Sequence, residues 1–190
     1  NIRAFLVNPP GEQPQTRDGR CTQSGGIWRT TWPPLTLAYL GALLRQAGAT
    51  VRIIDCAVCC TSLQELLVEV KAFRPDIAIW PVGNVTPELD LGVATALRTV
   101  IPSTRTAIIG TFPAALPEDC FNRQPDLDAI FLGEPEDCIV EAAHALVHSV
   151  PRPDMPGVWF RKNPRPTSTL VRTDLSALPF PDWGLVGALQ

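Results

Sequence analysis

The sequence predicts an α/β protein, a doubly wound parallel sheet of five strands with helices on both faces. Three observations carry this expectation. The chain opens on a nearly continuous apolar run, Ile2, Ala4, Phe5, Leu6 and Val7, which suits a central strand covered on both faces. Further short apolar runs follow, each separated from the next by a segment of helical periodicity. Each run closes on proline, glycine or aspartate, so the chain leaves the sheet at the strand's carboxyl end.

Taken in order, the first strand ends at Asn8, Pro9 and Pro10, because neither proline has the N–H that a ladder needs. Residues 11–32 are long and polar, with Gly11, Gly19, Gly25 and Gly26, and are expected to be a loop that covers a ligand or partner. Pro33 and Pro34 suit the first turn of a helix that Leu35, Leu37, Leu40, Leu43 and Leu44 continue, and Gly48 ends it as the residue after the cap. Val51–Ile54 is the second strand, closed by Asp55. Ser62 and Glu65 form a capping box for a helix whose apolar face is Leu63, Leu66, Leu67, Val70 and Phe73, stopped by Pro75.

Residues 76–82 are the third strand. Thr86 is expected to cap the next helix, with Pro87 at its first position and Leu91, Ala94, Leu97 and Val100 along it. Thr106–Ile109, closed by Gly110, is the fourth strand, and Leu127–Leu132, closed by Gly133, is the fifth, with a short helix at 117–121 between them. Ile139–Val150 is the last long helix. Right-handed crossovers give a flavodoxin-like strand order 2-1-3-4-5, with a switch-point crevice between strands one and three. Residues 1–150 form the expected domain, and 151–190 an extension or linker in which Gly157–Lys162 suits an edge strand or hairpin arm and 163–166 a turn.

With 45% hydrophobic and 18% charged residues the chain can bury a core, and disorder is not expected. A net charge of -3 gives no basic stripe for nucleic acid. No apolar run approaches the roughly 18 residues of a membrane span, and the start lacks the layout of a signal peptide, so the expected location is cytoplasmic. The start at Asn1, and the apolar, proline-marked segment Leu178, Pro179, Phe180, Pro181, Asp182, Trp183 near the end, read as an N-terminal module of something longer. The six cysteines are expected to be reduced. Cys56, Cys59 and Cys60 include a CxxC spacing but have no fourth ligand at a usual spacing, and read as small thiols after a strand. His144 and His148 stand one helical turn apart with no third ligand, and read as a satisfied or solvated pair.

Several ligands use such a sheet. A phospho-receiver would need carboxylates after strand one, an Asp ending strand three and a Lys after strand five, where this chain has Asn8-Pro9-Pro10, Pro81-Val82-Gly83 and Gly133-Glu134-Pro135. A dinucleotide fold would need GxGxxG after strand one, and residues 11–32 lack that spacing. A flavodoxin would want a hydroxyl-rich phosphate loop where the prolines stand. Instead VNPP, WPPLTLAYLGALLRQAG followed by VRIID, a Thr-Pro after strand three, IIG, FLGEPED and LPFPDW occur in order. Together they resemble the N-terminal cobalamin-binding domain of B12-dependent radical S-adenosylmethionine enzymes.

The resemblance implies a corrinoid over the carboxyl edge of the sheet with its nucleotide tail among the strands. It implies a following domain, outside this chain, that binds S-adenosylmethionine and a [4Fe–4S] cluster. The candidate cobalamin-binding residues are Asn8 and Pro10 after strand one, Thr30, Thr31 and Trp32 before the first helix, and Val82, Gly83, Asn84 and Thr86 after strand three. Gly110, Thr111, Phe112 and Ala114 follow strand four, and Leu132, Gly133 and Glu134 follow strand five. Small groups at Gly110, Thr111, Ala114 and Gly133 suit a broad macrocycle, and Gly83, Asn84 and Thr86 suit the phosphate and ribose of the tail. A valine at Gly110 is expected to fill the tail slot with the fold intact. The family's DxHxxG is absent, since the loop has Asp18 and Gly19 but no histidine, so cobalt is expected base-off and His-off, with Trp32, Thr30 or Thr31 beneath the corrin. Cys21 is the competing lower ligand. A methyltransferase that uses methylcobalamin is the implied activity. The alternative is a non-catalytic α/β module that binds a small ligand or a protein.

Overall fold

A computed structural model describes residues 1–11, 15–18, 21–24, 32–150, 152, 154–167 and 175–187. The main sheet comprises β1 (Arg3–Asn8), β4 (Thr50–Asp55), β5 (Ile77–Pro81), β6 (Arg105–Ile109), β7 (Ala129–Phe131) and β8 (Val158–Phe160), in the order β4-β1-β5-β6-β7-β8. The first five are parallel, in the expected 2-1-3-4-5 order, and β8 pairs antiparallel with β7. The extension drawn from residue 151 therefore gives the sheet its sixth, edge strand.

Both faces of the central strands are apolar, as the opening run requires. Ala4 and Leu6 of β1, with Ile77 and Ile79 of β5, pack against α1 (Leu35–Gln46) and α7 (Ile139–Val147) through Leu37, Leu40, Ile139 and Ala142. On the other face Phe5, Val7, Ala78 and Trp80 pack against α3 (Leu63–Phe73), α4 (Pro87–Val100) and α6 (Pro117–Arg123) through Leu66, Val70, Leu91, Leu97 and Phe121. The period of two sends alternate residues to opposite layers, and helices cover both.

The caps show how locally the sequence specifies the helices. Ser62 Oγ accepts the Glu65 N–H while the Glu65 carboxylate takes the Ser62 N–H at 2.8 Å, the expected box, and the Ser62 hydroxyl at 2.7 Å, then its N–H, hold the Glu65 carboxyl below its ordinary value. At the end of α1, Gly48 (φ +85) donates to Arg45 O and Ala49 to Leu44 O, closing the helix with a left-handed residue. Pro34 is the residue before α1 rather than inside its first turn.

Three expectations are corrected. Residues 11–32 are not one irregular loop: β2 (Gln15–Asp18) and β3 (Cys21–Ser24) form an antiparallel pair with Asp18 opposite Cys21. Thr86 stands at the N-cap position of α4 with Pro87 after it, but makes no side-chain cap bond; its hydroxyl donates to Asp90. The connection after β6 begins directly with a helix, α5 (Thr111–Ala115), before the expected α6. A further short helix, α2 (Cys56–Cys59), is capped by Asp55, whose carboxylate accepts the Val58 N–H at 3.2 Å.

Residues 175–187 return to α1. Asp182 accepts from Arg45 at 2.5 Å and donates its N–H to Ala38 O, and α8 (Trp183–Val186) sets Leu185 and Val186 against the core. Gly41 makes room for this contact, since a Cβ there would lie 2.9 Å from Leu185 Cδ1 and 3.0 Å from Ile53 Cδ1.

Candidate ligand edge of the sheet

The carboxyl ends of five parallel strands gather most of the described candidates on one edge. Asn8, ending β1, is 1% exposed and donates through Nδ2 to Asp55 Oδ1 at 3.0 Å. That carboxylate also caps α2, so one buried acid ties together the ends of β1 and β4 and the helix that follows β4. Pro10 follows, half-buried. Trp32, just before α1, is 62% exposed, whereas Thr30 and Thr31 lie outside the described residues.

After β5, Val82 is buried and donates its N–H to Ile109 O at 3.0 Å, extending the ladder one residue past the strand. Gly110 sits opposite with φ +115 and ψ 174, and a Cβ there would lie 3.2 Å from Val82 O and 3.7 Å from Val82 N. Glycine is thus required by the protein's own neighbouring backbone. A valine at 110 strains this turn before any ligand arrives, contrary to the expectation that the fold would tolerate it. Thr111 and Ala114, on α5, are half-buried, and Phe112 packs partly into the core. Leu132 is buried, with its N–H on Gly157 O at 2.8 Å; Gly133 is half-buried, and Glu134 is exposed at the start of a turn at Pro135–Asp137. Val82, Leu132 and Phe112 therefore belong mainly to the core.

The sequence reading missed Asp90. It lies in the first turn of α4 with 0% exposure, and its carboxylate accepts the Gly83 N–H at 2.9 Å and the Thr86 hydroxyl at 3.4 Å. Its carbonyl accepts the indole N–H of Trp80 at 2.8 Å. A carboxylate at a helix start looks like an ordinary dipole partner; the clue in the sequence was Gly83 seven residues before it. The apolar side chains flanking the edge were also missed: Val85 is 70% exposed, and Leu89 and Leu116 are exposed too.

The other singled-out groups lie elsewhere. The His144 and His148 rings lie 4.5 Å apart, tilted at 51°, beside a cavity of about 220 Å³ that is also lined by Asn1, Ile2 and Gly48, at the amino edge of the sheet. Cys56 is buried, and its thiol is pushed up to about 12 by burial and then by Asp55, while Cys59 and Cys60 are exposed. Among the described residues no group of three or more His, Cys, Asp or Glu could hold a metal ion, and no helix is long and apolar enough to cross a membrane.

No family model matches the chain. The anaerobic magnesium-protoporphyrin IX monomethyl ester cyclase of Cereibacter sphaeroides is 26% identical over 165 residues, covering 82% of this chain and 26% of the cyclase. Among solved structures, OxsB, a cobalamin-dependent S-adenosylmethionine radical enzyme with aqua-cobalamin and S-adenosylmethionine bound, has a TM-score of 0.74 at 18% identity, over 95% of this chain and 24% of its own. The radical S-adenosylmethionine methyltransferase TsrM of Kitasatospora setae has a TM-score of 0.65 at 18% identity, over 83% of this chain and 28% of its own. The chain spans about a quarter of the length of each of these proteins. Its overall α/β fold is similar to a part of OxsB and of TsrM, each a longer chain.

Proposed function

We propose that this chain is the cobalamin-binding domain of a longer radical S-adenosylmethionine enzyme, and that the enzyme is a methyltransferase using methylcobalamin. The observation that carries the reading is the carboxyl edge itself, on a fold that OxsB shares over 95% of this chain. A corrin is a broad, largely apolar disc fringed with amides, and the residues present suit it. Val85, Leu89, Leu116 and Trp32 are exposed apolar side chains around the edge, of the kind that marks a binding surface, and the turns at Gly83, Gly110 and Gly133 bring backbone rather than side chains to it.

Bound cobalamin would supply the cobalt that takes up and gives up a methyl group. The chain's own residues hold and orient. Asn8 and Asp55 fix the ends of β1 and β4 against each other, and Val82 and Gly110 fix those of β5 and β6, so the rim is built before the ligand arrives. The chain has two histidines, both on or next to α7 beside the amino-edge cavity. This supports a cobalt without an imidazole of this chain beneath it, and leaves Trp32, Thr30 and Thr31 as the proposed neighbours of its lower face. S-adenosylmethionine and the [4Fe–4S] cluster belong to a domain outside this chain, whose sequence has no CxxxCxxC. The fragment is accordingly expected to bind cobalamin without cleaving S-adenosylmethionine.

The test is to incubate the fragment with hydroxocobalamin and desalt it. A corrin spectrum that stays with the protein supports the proposal; loss of all colour favours a non-catalytic α/β module for another small ligand or a protein. The cyclase name of the curated relative favours a second reading, in which the longer enzyme uses cobalamin for a reaction other than methyl transfer. Methyl-labelled S-adenosylmethionine given to the full-length enzyme separates the two, since label in the product requires methyl transfer.

A further inference from the structure

Val140, His144 and His148 follow one another at intervals of four residues, so α7 and its cap bring them into line on one face. Both imidazoles are exposed, and they line the cavity at the amino edge of the sheet together with Leu44, Ala47 and Gly48 from the end of α1. Their ring centroids are 4.5 Å apart at a tilt of 51°, which is neither a parallel stack nor an edge-to-face pair. It is the spacing of a chelate. A zinc-like ion bonds an imidazole nitrogen at about 2.0–2.1 Å, so the centroid of an edge-on ring stands about 3 Å from the metal, and two such rings at bond angles between square and tetrahedral lie about 4.5–5 Å apart.

The electrostatics of this corner favour a cation as well. α1 and α7 both end here, at the caps Ala47 and His148, so the partial negative charge of two helix C-termini falls beside the cavity. The arginines around these ends are engaged by acids and a hydroxyl: Arg152 with Glu141 at 3.1 Å, Arg45 with Asp182 at 2.5 Å, and Arg105 with Asp128 at 3.4 Å and Ser149 at 3.0 Å. Among the described residues no His, Cys, Asp or Glu completes a group of three, so the remaining coordination positions fall to water, for which a cavity of about 220 Å³ has room. Two imidazoles with water suit a zinc-like divalent ion, whereas calcium and magnesium take oxygen ligands and soft copper(I) takes thiolates.

We propose that His144 and His148 form a bidentate site for a divalent transition-metal ion of the zinc class, at the edge of the sheet opposite the one proposed for cobalamin. Each ring gives the lone pair of one nitrogen, and water completes the coordination. The site stands independently of the cobalamin reading.

The probe is Zn²⁺ added to the tag-free chain and followed by long-range ¹H–¹⁵N correlation of the imidazoles, because the chain has two histidines and so two rings to watch. Zinc held by the exposed thiols of Cys59 and Cys60 leaves these signals where they are. The expected result is that both rings shift together along one binding curve at submillimolar Zn²⁺. His144→Ala and His148→Ala are each expected to weaken binding at the remaining ring roughly tenfold or more, at least the loss that an outer-shell partner causes. Each is also expected to abolish the rise in melting temperature that bound Zn²⁺ gives the parent. Both side chains are exposed, so circular dichroism should not change, and either variant carries the test if the other fails to fold. Rings that titrate at different zinc concentrations, or a remaining ring that binds as tightly as in the parent, overturn the chelate and leave two separate surface histidines. Imidazole signals that stay unmoved up to millimolar Zn²⁺ overturn the site altogether.

Discussion

Replacing Gly110 by alanine tests whether the rim is set by backbone geometry. At φ +115 and ψ 174 the residue occupies a region essentially reserved for glycine, and an L residue there costs about 1–3 kcal/mol. The added Cβ would lie 3.2 Å from Val82 O, and Val82 is held in place by its own bond to Ile109 at 3.0 Å, so crowding adds to the strain. The expected loss is about 2–4 kcal/mol, which at a urea slope of about 2 kcal/mol per molar lowers the midpoint by about 1–2 M. Gly92→Ala is the control: the same change in the interior of α4, where a Cβ meets nothing within 4 Å, gains up to about 1 kcal/mol from helix propensity. A Gly110→Ala midpoint within about 0.3 M of the parent's would show that the turn rotates to a common conformation, and would refute the claim that Val82 and Gly110 fix the rim.

The buried thiols of Cys56 and Cys138, pushed up to about 12, and of Cys120, pushed up to about 11, are each raised first by burial and should resist a maleimide near neutral pH while Cys59 and Cys60 label; peptide mapping reads this directly. A raised folded-state pKa means that the contribution to stability is complete below the ordinary thiol value of 9.0 and declines as pH climbs from there towards about 12, so alkaline denaturation should coincide with labelling of these three. Arg161→Met should cost about 2–4 kcal/mol in urea unfolding, because its guanidinium donates to Leu127 O at 2.5 Å, Phe121 O at 3.1 Å and Gln124 O while lying over the Phe121 ring. Ser62→Ala should lower stability by about 1 kcal/mol through loss of the capping box, read as a urea midpoint shift without a change of slope. Cobalamin bound to the fragment and reduced to Co(II) should show no nitrogen superhyperfine splitting by electron paramagnetic resonance, in the parent and in Cys21→Ala alike; splitting would reveal an imidazole or benzimidazole ligand.

The strand order was readable because each parallel strand is a buried run ended by a residue that breaks a ladder, as with Ala4–Val7 before Asn8-Pro9, or Ala107–Ile109 before Gly110. The Ser62–Glu65 box and the Gly48 stop were readable for the same local reason: their bonds join residues three to five apart. What escaped depends on distant partners or on very short elements. The β2–β3 pair is four residues per strand and too polar to announce itself by burial, and the two-residue connection beginning at Gly19 was the one signal for it. α5 carries Pro113 inside five residues, a composition that argues against a helix until Gly110 and the backbone of Val82 fix its start. At the candidate site the edge was legible from topology alone, but Asp90 was not, because its burial is created by Trp80 and the loop folding over it.

The return of residues 175–187 to α1 bears on self-association. Among the described residues β4 is the outermost strand on its side, six residues long, and an open strand of that length offers a row of N–H and C=O groups to any second copy. α8 packs against β4 with Leu185 beside Ile53, while the opposite edge is only three residues of β8. Among the described residues, α8 thus lies beside the border strand β4, and β8 at the other border is three residues long. Gly41, where a side chain would meet Leu185 and Ile53, and the Arg45–Asp182 pair hold that late turn of the chain beside β4.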